Sequence, residues 1–546
     1  MPGNYPTESP RAALTHPFVL CVCLTLAVII LYIGSLRAPF VFDDFAFLSA
    51  PGMVEKYSHL MASFEPRWLP YWSLSLSVKW FGMDVFWLRL ENVLLHAANT
   101  VALFFLLRGV FHAVIVREGD HGGQVPLNWH AFFGALIFAI HPVSVYGVAY
   151  IMQRSILMAN LFMLLMLLVY LEGLLRGGWQ WMLAAVLLYI AAVLSKEHSV
   201  LAPGVAAALT LLVRKPSAAL LKQIAPYATF LALVALVLAY AAKSKGILGT
   251  IYEPSAKGIL DLSLKKQGLD SLPNIYLLSI LTQGELYFKY LWLWLIPNPG
   301  WMSVDMREPF ALSLFSWPQT AGFLAFLIYP VVAVWLLLKQ GRAGLLGLAM
   351  IYPWILFLTE FSTVRIQEPF VLYRSYLWMP GLMLGLPTVL GSLAPGRVSM
   401  VYGAICVLLV PLTLNRLDTF SSSLRLWDDA EKLVRNHPDS YGVERIYTNR
   451  GNKLFQLRRY EESVADFSKA IAAYPDDVMV YGSRGKAYYF LSRYHEAIQD
   501  FNHAIALQPD SRRLYYDRSL AYRALGDIES AEKDLRQSCA LGGVCP

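Results

Sequence analysis

The sequence predicts an all-α membrane protein: a polytopic helical bundle of about 11 to 13 crossings, then a superhelical stack of short paired helices. Three observations carry this. Of the 546 residues, 57% are hydrophobic and only 15% charged, whereas a soluble globular chain carries about 25% charge. A dozen apolar runs of spanning or near-spanning length occupy the first three quarters of the chain. From about residue 420 the apolar runs end, charge rises, and a period of 34 residues sets in between Gly451 and Gly485.

The apolar runs cover 17–36, 86–107, 127–145, 155–175, 180–195, 199–213, 223–242, 276–296, 318–338, 343–361, 375–393 and 398–414. The run 17–36 is longer than a signal-peptide core and has no small-residue cleavage site, so it reads as a helix. Those at 180–195 and 199–213 fall short of the ~20 residues a crossing needs. They read as tilted, broken or re-entrant around Ser195-Lys196-Glu197-His198. Two polar connections are long. One, 37–85, holds Asp43, Asp44 and Arg67; the other, 243–275, carries five lysines and reads as a lid or lateral helix. The 15 Trp and 30 Tyr suit interfacial belts. The net charge of +7 is modest, and no basic run alternates with exposed aromatics, so no nucleic-acid partner is expected.

The repeat is visible in Gly451/Gly485, Tyr460/Tyr494, Phe467/Phe501, Ala470/Ala504 and Pro475/Pro509, with Tyr447, Tyr481 and Tyr515 on the same step. Small residues where two helices cross, aromatics filling the gap and Pro closing the second helix are the tetratricopeptide pattern. The chain therefore divides into a membrane part, 1–416, a connector helix, 417–446, and repeats over 447–480, 481–514 and a degenerate 515–546. Cys21, Cys23 and Cys406 read as packing residues; Cys539 and Cys545 permit a disulfide or two free thiols.

Asp43 and Asp44 directly follow the first apolar run, in Ala-Pro-Phe-Val-Phe-Asp-Asp-Phe (38–45). Carboxylates at a helix mouth either form a hydrated turn or face a polar cavity. Phe40, Phe42 and Phe45 would press them against apolar surface and raise their basicity, as a general base for an acceptor hydroxyl requires. Arg67, Arg154, Lys196 and Arg374 all stand at or near ends of apolar segments. A cation in the membrane costs roughly 2.5–3.5 kcal/mol, so four of them call for an anion. Glu197 or Glu360 could serve internally, and a lipid phosphate would match Arg geometry better. Asn92 and His96 share one helix face, and His141 ends an apolar segment; each could line a cavity or simply bond between helices. No Cys or His spacing suggests a metal site, and no phosphate-cradling glycine loop or nucleophile elbow occurs.

Taken in order, these motifs resemble a known family. They are the Asp pair, Arg67-Trp-Leu-Pro, Asn92-Val-Leu-Leu-His96, His141-Pro-Val with Gln153-Arg154-Ser, Ser195-Lys196-Glu197, Val304-Asp305, Tyr373-Arg374-Ser-Tyr376 and the repeats. The chain resembles the transmembrane-and-TPR (TMTC-type) O-mannosyltransferases and their bacterial relatives, of the GT-C superfamily. The resemblance implies a polyprenyl-phosphate sugar donor and inverting, metal-independent transfer without a cofactor on the lumenal or periplasmic side. It puts the Asp pair at the acceptor, the four cations at the lipid phosphate, and Asn92, His96, His141, Glu197, Asp305 and Tyr373 around the cavity. It also places the repeats outside the cytoplasm, where they would receive a protein acceptor. The two termini then lie on opposite sides, and one of the twelve segments does not cross. Leu372-Tyr373 stands where the family has Glu-His before Arg374, and the repeat array is short. Both departures leave sugar and acceptor open and suggest a bacterial inner-membrane enzyme acting on an exported protein such as pilin, or on a glycan. A ligase using a diphosphate-linked oligosaccharide and a non-catalytic TPR scaffold are the alternative readings.

Overall fold

The computed structural model describes residues 16–42, 44, 48–50, 52–58, 65–115, 127–215, 217–244, 246, 249–251, 258, 274–366, 368–437 and 440–542. Asp43, Phe45, Cys545 and most of the expected lid at 243–275 lie outside the described residues. Helices of twelve or more residues are numbered here. The membrane part contains α1 (Pro17–Tyr32), α2 (Trp68–Phe81), α3 (Val85–Ile115), α4 (Leu127–Ala139), α5 (Arg154–Arg176) and α6 (Trp179–Ser195). It continues with α7 (Ala202–Val213), α8 (Ala218–Ser244), α9 (Ile275–Leu295), α10 (Gln319–Leu338), α11 (Gly341–Phe357) and α12 (Pro395–Thr419). No strand occurs among the described residues, only two isolated bridges.

Among the described residues seven helices are long and apolar enough to cross a membrane, or eight if the bent pair Leu127–Ala139 and Pro142–Val148 is one crossing. In hydrocarbon the backbone must satisfy its own hydrogen bonds, which is why these runs are helical. α3, α5 and α11 are central, whereas α8, α10 and α12 turn most of their surface outward. The outer face of α10 presents Leu327, Val331 and Trp335, the surface expected toward lipid tails. Between central helices polar side chains bond in pairs. Asn160 donates to Asn99 at 2.9 Å, and Tyr170 meets Thr210 at 2.8 Å. Each such bond is worth about 0.6 kcal/mol.

Two expected segments differ from the reading above. The run 375–393 is not one helix but Ser375–Trp378, a 3-10 stretch Met379–Gly385 and Leu386–Leu390. Pro380 and Pro387 remove backbone donors. Gly381 lies so close to the Tyr352 ring that a Cβ would meet it at 2.4 Å. The run 276–296 is helical, as α9, but is not among the apolar crossings. Along its length it is bonded to the 361–375 strap: Tyr276 donates to the Phe361 carbonyl, Gln283 to Pro369 and Trp294 to Ser375 Oγ. That strap leaves Glu360 and returns to it through Arg374, 2.7 Å away. α9 also packs against α10, where Tyr287 lies 5.3 Å from Phe326 and 5.4 Å from Tyr329.

Beyond α12 come α13 (Ser423–Val434) and three helix pairs: α14 (Val443–Gln456) with α15 (Tyr460–Ala473), α16 (Val478–Phe490) with α17 (Tyr494–Leu507), and α18 (Arg512–Ala524) with α19 (Ile528–Ala540). The Ser422 hydroxyl caps α13 by accepting from Arg425 N at 3.1 Å. Inside the first two pairs a Cβ on Gly451 or Gly485 would meet the Phe467 or Phe501 ring at 2.8 Å. The missing side chain is what lets the two helices touch. An ion pair also repeats every 34 residues: Arg450 with Asp466, Arg484 with Asp500, Arg518 with Asp534, at 2.6, 2.9 and 2.7 Å. All three aspartates are buried. Cys539 is disulfide-bonded. Removing one partner of such a pair strands the other. Asp500→Ala is therefore expected to cost about 2–4 kcal/mol, read as faster amide exchange across 478–507 in the intact protein. Arg484→Met with Asp500→Leu should recover most of that protection.

Candidate active site at one end of the bundle

The chain leaves α1 through a short 3-10 turn, and α3 holds that exit in place. Arg89, fully buried, donates to the carbonyls of Ser35, Ala38 and Pro39 at 2.8, 2.7 and 3.0 Å. Asp44 completes the turn. One carboxylate oxygen accepts from Val41 N at 3.1 Å, the other from Met152 N at 3.0 Å. Burial pushes its carboxyl up to about 7, against the pull of those amides and of Arg89. Asp44 is thus not a carboxylate facing a cavity, as its sequence position suggests. It is buried, with both oxygens committed, and ties the exit of α1 to the 150–153 turn before α5. Phe42 does not press on it either: held at a φ of 50°, its ring sits 5.6 Å from Tyr150 and 5.0 Å from Trp427 of α13.

Beside this turn three of the four predicted cations gather. Arg67, just before α2, grips Glu197 with Nη2 at 2.6 Å and Nε at 3.1 Å. Glu360, at the end of α11, takes Arg374 at 2.7 Å, Arg365 at 3.8 Å and His198 at 2.9 Å. Glu368 lies 3.9 Å from Arg374 and 2.6 Å from Arg445. Lys196 sits at the break between α6 and α7 among these groups. Its ammonium is 5.8 Å from the Tyr373 ring, and only 3% of the residue is exposed. No hydrogen bond or ion pair among the described residues reaches that ammonium. Burial pulls it down to about 7; Arg67 lowers it further, Glu197 offsets part of this, and Arg374 and Arg365 again lower it. In this inner ring Arg67, Lys196, Arg365 and Arg374 stand against Glu197, Glu360 and a third carboxylate, Glu368, which is shared with Arg445, an excess of one positive charge. Such an excess in a low-dielectric site is a standing demand for an anion.

The fourth cation is elsewhere. Arg154 is fully spent on Glu91 at 2.5 Å, Asn92 Oδ1 at 3.1 Å, Ser77 at 3.0 Å and the Leu88 carbonyl at 2.9 Å. It pins α5 to α2 and α3 and has nothing left for a ligand, which corrects the expectation that it binds phosphate. Asn92, His96 and His141 are likewise interior braces and not cavity lining. Asn92 donates to the carbonyls of Val148, Tyr150 and Ile151. His96 bridges Tyr376 at 2.7 Å and the Ala139 carbonyl at 3.0 Å. His141 stacks on Trp294 at 4.2 Å and bonds its carbonyl. Asp305 pairs with Arg307 at 2.6 Å and stands 3.7 Å from Arg445. Arg365, Glu368 and Arg445 escaped the sequence reading. The first two lie in Arg-Ile-Gln-Glu-Pro (365–369), charged residues between apolar runs, which was a usable signal; Arg445 is hidden among ordinary repeat-like charges. Among the described residues no cluster of three or more metal-type side chains gathers.

Comparison with known proteins bears on the same architecture. The tetratricopeptide repeat family profile matches residues 448–510 and 483–542. Over 218 residues the chain is 26% identical to a Drosophila melanogaster protein named Protein O-mannosyl-transferase Tmtc1, covering 36% of this chain and 23% of that one. The similarity is a distant one. It spans under a quarter of the curated relative it matches. Among solved structures, the first TPR of Spaghetti (RPAP3) bound to HSP90 peptide SRMEEVD shares 30% identity over 18% of this chain and 78% of that chain, with a TM-score of 0.18. MamA (MSR-1 C2) shares 24% over 24% and 76%, with a TM-score of 0.21.

The two kinds of buried cation should respond oppositely to removal. Arg154→Met leaves the buried Asn92 Oδ1 and the Leu88 carbonyl without their donor and is expected to lower the melting temperature. Lys196→Met removes an unpaired buried charge and should melt at or above the wild-type temperature. Thermal unfolding of both variants in detergent checks this, and a lower melting point for Lys196→Met would contradict the assignment.

Proposed function

We propose that this chain is a multi-pass membrane glycosyltransferase. It moves a monosaccharide from a polyprenyl-phosphate carrier to a hydroxyl group, on the side of the membrane where the repeats lie. The observation that carries the reading is Lys196, a buried ammonium that no hydrogen bond or ion pair among the described residues reaches, gathered with Arg67, Arg365 and Arg374. Similarity to a protein named as an O-mannosyl-transferase supports glycosyl transfer as the reaction class.

In the proposed reaction the acceptor oxygen attacks the anomeric carbon, and the bond from that carbon to the carrier phosphate oxygen breaks with its electron pair. A single displacement of this kind inverts the configuration. The carrier changes from a phosphodiester with one negative charge to a phosphomonoester with two. Charge that develops only in the transition state is where fixed cations accelerate most. Arg67 and Arg374 are prealigned by their carboxylates, and Lys196 adds an ammonium that makes no ion pair among the described residues. The acceptor proton would go to Asp43, the other carboxylate of the sequence pair, since both oxygens of Asp44 accept backbone amides. The acceptor is a Ser/Thr hydroxyl of an exported protein, pilin among the candidates, or a glycan. The repeats would present a concave surface to a protein acceptor. A bacterial inner membrane with the repeats in the periplasm is the setting this reading implies.

Transfer from a short-chain polyprenyl-phosphate sugar to a peptide or glycan acceptor tests the assignment. Lys196→Met is expected to lower kcat by about 10²–10³-fold. Asp43→Asn should abolish turnover with the melting curve unchanged, whereas Asp44→Ala should lower the melting temperature. Because the Lys196 ammonium is held near 7, it loses its proton as pH rises through neutrality. Affinity for the phosphate carrier should therefore fall between about pH 6 and 9, and Lys196→Arg should flatten that profile because a guanidinium keeps its charge. Full wild-type transfer in both Lys196→Met and Asp43→Asn would overturn the proposal.

A further inference from the structure

One surface turn displays the two most exposed large apolar side chains among the described residues. Phe315 is 91% and Trp317 83% exposed, with Leu314 beside them at 44%. Water-facing surfaces scatter such residues singly, so three within four positions call for a cover. The turn is tied so as to hold them out. Ser316 Oγ accepts from Leu312 N at 3.2 Å and from Ser313 N at 3.1 Å, and Ser313 Oγ accepts from Phe315 N at 3.3 Å. Thr320 Oγ1 lies 2.8 Å from the Leu314 carbonyl and 2.9 Å from that of Ser316. These hydroxyls are spent on the backbone of the turn, and what it offers outward is aromatic.

The helix that follows says what the cover is. The turn runs into α10, an apolar crossing with only 17% of its span buried, whose outer face carries Leu327, Ile328 and Val331. Trp317 and Trp335 stand 18 positions apart. At 1.5 Å per residue that is about 27 Å, close to the ~30 Å thickness of the hydrocarbon layer. At the far end the Lys339 ammonium is 3.5 Å from the Trp335 ring, a pairing suited to the level where a helix leaves the bilayer. The near end belongs to the site: Phe326 lies 5.3 Å from Phe361, the residue after Glu360.

We propose that the 313–317 turn is an interfacial anchor: Phe315 and Trp317 insert at the boundary between headgroups and acyl chains, in the leaflet at the site end. A ring with an apolar body and one polar edge suits that layer. The expected depth is about 5–10 Å into the boundary. No charged residue lies between Glu308 and Lys339, so the contact is apolar and takes zwitterionic and anionic lipid alike. The anchor depends on the spanning helices alone, and it can fail or stand separately from the phosphate site.

The test uses the full chain in nanodiscs of phosphatidylcholine whose acyl chains carry bromine either near the ester or near the methyl end. The Trp317 signal is the difference in emission between wild type and Trp317→Phe. It is expected to lose most of its intensity with bromine near the ester, less with bromine near the methyl end, and little with aqueous iodide. Phe315→Trp adds an indole at the same level and should add emission with the same profile; it carries the test should Trp317→Phe fail to fold. Adding phosphatidylglycerol should leave both profiles unchanged. Quenching by iodide alone, strongest quenching from the methyl end, or no quenching by either agent (the mark of cover by protein) would overturn the anchor. A profile that appears only with phosphatidylglycerol would overturn its apolar chemistry.

Discussion

A buried lysine that makes no ion pair among the described residues organises this end of the molecule. Taking an ammonium out of water without a partner is among the costlier things a fold can do. Here the cost is held in place by a rigid surround. Arg67 is locked to Glu197 from the turn before α2, and Arg374 to Glu360 from the end of the 361–375 strap. Glu197 offsets only part of the cost of burying Lys196. In the proposed reaction such an arrangement trades stability for readiness, because the cations would need no rearrangement when charge appears on a departing group.

The scaffold around that ring is built from groups that look functional and are not. Arg89, Asn92, His96, His141 and Arg154 are buried, polar and hydrogen-bonded to the scaffold. They fasten irregular backbone, the exit of α1 and the broken turns between α4 and α5, to straight helices. Where backbone departs from the helix inside an apolar layer, its carbonyls must find donors, and side chains from neighbouring helices supply them. That requirement explains why so many polar residues cluster near a site without lining it. The repeat domain meets the same demand differently. A glycine admits a phenylalanine between the helices of the first two pairs, and an arginine crosses all three to a buried aspartate.

Much of this was legible beforehand. The apolar runs and the 34-residue period give the all-α fold and the repeats, since length and periodicity report backbone geometry directly. Clustering of Arg67, Lys196 and Arg374 was legible too, because cations at segment ends have few places to go. What could not be read was occupancy. Nothing local distinguishes Arg154, whose partner Glu91 lies 63 positions away in the chain, from Lys196, which makes no ion pair among the described residues. Nor does the sequence show that Asp44 bonds an amide 108 residues on. The bonding of α9 to the strap is likewise a long-range fact. Arg445 was invisible because its partners Glu368 and Asp305 stand far back in the chain.

Phe42 shows how far the two parts are from being modules. Its ring is walled on one side by Tyr150 of the bundle and on the other by Trp427 of α13, with Arg445 approaching its face. A bundle cut free at Thr419 would leave that aromatic uncovered on a backbone already twisted into the left-handed region, one residue short of the aspartates. Severing the chain at the apparent seam would therefore disturb the active-site turn itself, and grafting a foreign repeat array in its place would succeed only if the graft brought its own roof for that ring.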